Sequence, residues 1–96
     1  MEDNRDMKRT VDIAKILNHY GRQAQLNKTM EELAELQVAI AHEDNKDNVL
    51  EELADVQVMA EQVRLMWGIG EDELDRMIDY KVDRTIRRIR KEGSGK

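Results

Sequence analysis

No proline occurs anywhere in these 96 residues, and glycine occurs only five times. Proline fixes φ and removes a backbone donor, and tight turns between strands draw heavily on both residue types, so their scarcity leaves long uninterrupted helices as the natural outcome. Glu, Leu, Ala, Arg, Met and Ile are plentiful and phenylalanine is absent, which again favours helix over sheet. The expectation is an all-α fold, a compact antiparallel bundle of about four helices. A chain this short buries only about two-thirds of its unfolded surface. Completion by oligomerisation, as a homodimer or homotetramer, is therefore expected as well.

Apolar spacing predicts where the helices run. The first spans about Thr10 to Leu26 through Ile13, Ile16, Leu17 and Tyr20, with Gly21 as a point of interruption. Thr29 followed by Glu32 has the form of a capping box, predicting a second helix from Thr29 to His42. The polar run from Glu43 to Asp47 makes a turn, and a third helix covers Asn48 to Trp67 until Gly68-Ile69-Gly70 stops it. A fourth runs from Glu71 to Arg90, with acids in its first turn and arginines in its last, as the helix dipole prefers. Residues 1–91 form one domain, and 92–96 are expected to be a disordered tail.

Charge is segregated along this chain. Ten acids and one lysine lie between Glu31 and Glu61, whereas from Arg84 onward six cations face Glu92 alone. Within the acidic stretch a near-repeat stands out, Glu31-Glu32-Leu-Ala-Glu35-Leu and Glu51-Glu52-Leu-Ala-Asp55-Val. Its core is Glu32-x-x-Glu35 and, after sixteen intervening residues, Glu52-x-x-Asp55. Side chains three apart are neighbours on a helix surface, so each pair aims two carboxylates at one place.

Acids on helices usually make a solvated face, and on the second helix the wheel permits that reading: Glu31, Glu32 and Glu35 fall opposite Leu33, Leu36 and Ile40. The third helix is different. It is apolar almost all round, and Glu52 projects between Met59 and Val63 while Asp55 lies beside Met59 and Met66. Ionised carboxylates in such surroundings call for a proton, a metal ion or basic partners. Four oxygen donors suit a hard cation such as Mg²⁺, with Mn²⁺ a substitute, and Mg²⁺ commonly keeps positions for water or phosphate.

The fourth helix carries Lys81, Arg84 and Arg88 at i, i+3 and i+7, on one face. Lys81 also follows Leu74, Met77 and Ile78, so its stem can run along apolar surface and deliver its ammonium to a phosphate. Intrahelical pairing with Asp75, Asp79 and Asp83 competes with that role. Tyr20 and Trp67 sit at helical apolar spacing and read as packing residues, as do Met59 and Met66.

Other chemistries are poorly served. His19 and His42 are preceded three residues earlier by Ile16 and Ala39, so the Glu-x-x-His pairs of di-iron bundles are absent. There is no cysteine, no phosphate-binding glycine loop and no nucleophilic triad. A net charge of -5 argues against nucleic acid as a partner. The absence of a long apolar run argues against a membrane span or secretion signal, and a cysteine-free composition fits the cytoplasm.

Taken together, Tyr20-Gly21, Lys28, Glu31-Glu32-x-x-Glu35-Leu36, Glu51-Glu52-x-x-Asp55-Val56 and Lys81-x-x-Arg84 resemble the MazG-like nucleoside triphosphate pyrophosphohydrolases. The likeness covers about Tyr20 to Arg88. It implies a Mg²⁺-dependent enzyme that cleaves a (d)NTP into the (d)NMP and pyrophosphate within a helical dimer or tetramer. By that resemblance Glu32, Glu35, Glu52 and Asp55 would be metal ligands. Glu35 would also orient the attacking water, Lys81 and Arg84 would contact and neutralise phosphate, and Lys28 would assist in binding substrate. The alternative expectation is a non-catalytic oligomerisation or regulatory module of the same fold.

Overall fold

The computed structural model describes residues 4–94, and the four elements among them are all helices: α1 Asn4–Tyr20, α2 Arg22–Ala41, α3 Lys46–Met66 and α4 Glu71–Ser94. The all-α expectation holds. Several boundaries move, each for a local reason.

One residue separates α1 from α2. Gly21 has φ 91°, ψ 162°, a conformation that glycine alone adopts readily. Its N–H donates to the Leu17 carbonyl at 2.8 Å and its carbonyl accepts from Gln25 at 3.1 Å, so it closes one helix while opening the next. The expected first helix through Leu26 is therefore divided at Gly21, and α2 begins seven residues before Thr29. Thr29 is buried in mid-helix, its hydroxyl donating to the Gln25 carbonyl at 2.7 Å. The Thr-x-x-Glu spelling fits this back-bonded state as well as a cap.

α2 and α3 form an antiparallel hairpin. After Ala41 the chain turns through Glu43, which takes the left-handed φ of 48°, while Asp44 N–H reaches back to the Ala39 carbonyl at 3.0 Å. Asn45 then caps α3, its side chain accepting from Asn48 N–H at 3.0 Å. At the far end Gly68 (φ 66°) closes α3. Arg22, at the start of α2, donates to the Met66 carbonyl at 3.1 Å and stacks 4.4 Å from the Trp67 ring centroid. Arg64 is buried there too, bridging Glu61 and the Ile69 carbonyl. Arg22 thus satisfies the last carbonyl of α3, which has no partner within the helix, and Arg64 holds the loop that follows.

α1 packs on both helices of the hairpin. The resulting core is small: Ile13, Ala39 and Met59 are the buried apolar residues, alongside the buried polar residues Gln25, Thr29, Glu32, Gln62 and Arg64. Large apolar side chains are meanwhile exposed on every helix, including Met30 and Ile40 on α2 and Leu50 on α3. Trp67 and Tyr20 are exposed rather than packed in the interior.

α4 packs against none of the other three helices; only its first turn, Glu71 and Asp72, comes near Thr10 and Arg64. It continues through Gly93 to Ser94, so residues 92–94 of the expected disordered tail are helical, and 95–96 fall outside the described residues. The radius of gyration, 16.9 Å, exceeds the roughly 12.5 Å of a compact domain of this length.

Candidate metal centre

The hairpin brings the two acidic turns face to face. Carboxylate oxygens of Glu32, Glu52 and Asp55 lie within 4.8 Å of one another, and those of Glu31, Glu32 and Glu35 form a second such group. Glu32 belongs to both. It is only 5% exposed, although it belongs to the face of α2 that the helical wheel allowed to be solvated. Glu52 is half-buried, whereas Glu31, Glu35, Glu51 and Asp55 are at the surface. Ile16 and Tyr20 of α1 line a cavity together with Glu32 and Asp55.

No donor reaches the inner oxygens. Oε2 of Glu32 and Oε2 of Glu52 are both buried without a hydrogen-bond partner. Lys28 satisfies only the other Glu32 oxygen, with Nζ 3.1 Å from Oε1, and sits 3.7 Å from Glu31. Contact with these acids raises the Lys28 pKa, the Glu32 pairing first. Desolvation raises Glu52 above the ordinary carboxylate range, reinforced by repulsion from and side-chain contact with Glu35, then by Asp55 and Glu32. Asp55 is raised for the same reason, desolvation first and Glu32 next, with Lys28 pulling weakly the other way. Glu52, facing Glu35, and Asp55, facing Glu32, therefore hold their protons more tightly than isolated acids do. Crowded acidic oxygens without donors fit a hard divalent cation, which would replace those protons.

Cavities flank the acids. One of about 440 Å³ is lined by Ile16, Tyr20, Ala24, Gln25, Lys28, Met59 and Gln62 together with Glu32 and Asp55. Another, of about 630 Å³, is lined by Glu31, Glu35, Asp44, Asn48, Glu51 and Glu52. Gln62 is fully buried, and neither its Nε2 nor its Oε1 has a partner. Sequence reasoning missed it. The signal was its position seven residues after Asp55, two turns along the same face of α3.

The structure thus gathers Lys28, Glu32, Glu35, Glu52 and Asp55, the four metal-ligand candidates and one cation. It does not bring Lys81 or Arg84 to them within the protomer: both lie on α4, and no α4 residue lines either cavity beside the acids. Glu31 and Glu51 lie inside α2 and α3. His19 is exposed with its ring edge-on to Tyr20, and His42 terminates α2. Neither histidine joins the acids in a metal-competent group among the described residues.

Comparison with models of protein families, with curated proteins and with solved structures finds nothing that matches this chain. No described helix is long and apolar enough to cross a membrane.

Proposed function

We propose that this chain is a divalent-metal-dependent nucleoside triphosphate pyrophosphohydrolase of the MazG-like kind, acting on (d)NTP plus water to give (d)NMP and pyrophosphate. One observation carries the reading: the buried, donorless oxygens of Glu32 and Glu52, flanked by Glu35 and Asp55 across the hairpin. A triphosphate would be repelled by these acids unless a cation lay between them. Mg²⁺, or Mn²⁺ in its place, would polarise phosphate oxygens and lower the pKa of a bound water.

The chain's own residues do the rest. Glu32, Glu35, Glu52 and Asp55 would hold the metal. Glu35, at the rim, orients the water for in-line attack on the α phosphorus and accepts its proton. Lys28 spans the acids and the cavity, positioned to contact phosphate. The cavity lined by Ile16, Tyr20 and Met59 takes the nucleoside. Lys81 and Arg84 supply charge to the pyrophosphate leaving group. Cytoplasmic nucleotides are the intended substrates, and neither nucleic acid nor membrane is a partner.

Incubating the purified chain with a panel of dNTPs and NTPs plus Mg²⁺ tests this. Pyrophosphate release that disappears in Glu52→Gln and Asp55→Asn variants of unchanged helicity supports the enzyme. The extensive exposed apolar surface favours a second reading, a non-catalytic oligomerisation or regulatory module, and absence of turnover across the panel would select it.

A further inference from the structure

We infer that Lys28 is the built-in cation of the outer acidic group, Glu31, Glu32 and Glu35, so that a divalent ion enters the inner group, Glu32, Glu52 and Asp55, and a second ion is kept out. The inference rests on the metal-dependent reading proposed above and adds to it how many ions the acids admit in the absence of nucleotide.

The acids form two groups rather than one. In each, three carboxylate oxygens lie within 4.8 Å of one another, and Glu32 is the member common to both. The two oxygens of Glu32 have different surroundings. Oε1 is 3.1 Å from Lys28 Nζ, whereas Oε2 is buried without any donor. Glu32 is only 5% exposed, and an ionised carboxylate so enclosed is costly unless cations compensate it. Lys28 compensates it on one side alone.

That side belongs to the outer group. Nζ of Lys28 is also 3.7 Å from Glu31 Oε1, and Glu32, Glu31 and Glu35 all contribute to raising the Lys28 pKa. Toward the inner group its reach is slight. Asp55 feels the ammonium only weakly, and Glu52 is governed by desolvation and by the other acids. A divalent ion brought to the outer group would meet the ammonium at close range and be repelled by it. In the inner group it would meet the donorless oxygens of Glu32 and Glu52, with no basic side chain of its own protomer between them. Lys28 therefore divides one acidic surface into a place already neutralised and a place left for the metal.

Titration of Mn²⁺ into the purified chain, without nucleotide and at about 0.15 M salt, counts the ions bound per chain through the EPR signal of the free ion. The expected count is one for the wild type and for Lys28→Arg, which keeps the charge, and two for Lys28→Met, which removes it. The Lys28 side chain is half exposed, so these variants should keep the wild-type helicity by circular dichroism. Adding Glu31→Gln to Lys28→Met should return the count to one, because Glu31 belongs to the outer group alone. Glu32 being common to both groups, the two ions in Lys28→Met should be spin-coupled at low temperature, which an ion bound elsewhere on the surface would not be. A wild type or Lys28→Arg chain that binds two coupled ions, or a Lys28→Met chain that stays at one, overturns the inference and leaves the metal reading standing. A wild type that binds no ion strikes that reading, and the inference with it. Neither readout needs turnover.

Discussion

Replacing Gln62 by methionine should make the metal-free protein more stable, because the native side chain is wholly inaccessible and neither amide atom has a partner. Burying an amide without hydrogen bonds costs about 1–3 kcal/mol relative to an apolar group of similar shape. Methionine has nearly the same length and needs no partner, so little packing strain should offset the gain. For a chain of this length the entropy of unfolding is about 0.2 kcal/mol per kelvin, so 1–3 kcal/mol corresponds to a rise in Tm of roughly 5–15 °C. Thermal unfolding followed by circular dichroism at fixed protein concentration in EDTA measures it. Fixed concentration matters because an oligomer's midpoint depends on it. An unchanged or lower midpoint would mean that the Gln62 amide is already satisfied, and the case for a free amide waiting in the cavity would fail.

Three further outcomes follow from local structure. Glu43→Gly should stabilise by about 1 kcal/mol, since Glu43 occupies the left-handed region at φ 48°, and urea unfolding reads it as a shifted midpoint at unchanged slope. Asn45→Ala should cost about 1 kcal/mol by the same assay, through loss of the cap on Asn48 N–H. In metal-free protein, stability should fall as pH rises from the ordinary carboxylate range through the raised pKa values of Glu52 and Asp55, because the folded state holds those protons more tightly than the unfolded chain. Comparison with Glu52→Gln isolates the effect: a wild-type minus variant difference that is flat between pH 4 and pH 7, or slopes upward, would contradict it.

Helical class and the pairing of the acidic turns were legible because both depend on short-range features. Scarcity of proline and glycine sets the helices, and i, i+3 spacing sets which carboxylates are neighbours. The third-helix wheel indicated that Glu52 and Asp55 both leave the solvated face; Glu52 is half-buried, but Asp55 is exposed. Helix starts were less legible: Thr29 with Glu32 spells a cap, but no chain break occurs there, and glycine geometry at position 21 decides the boundary instead. Burial of Gln62 and exposure of Met30, Ile40 and Leu50 run against composition. Hydrophobic periodicity reports which faces seek cover without reporting whether the cover comes from the same chain, and α4 shows how far the two can differ.

The account turns on carboxylates from two facing helical turns sharing a divalent ion. Calorimetric titration of Mg²⁺ or Mn²⁺ into metal-free protein, with and without a non-hydrolysable triphosphate, tests that most directly. Saturable binding should appear, and it should vanish in Glu52→Gln. Titrations that show no saturable binding at millimolar metal, even with the nucleotide present, or that are indifferent to Glu52→Gln, would contradict it.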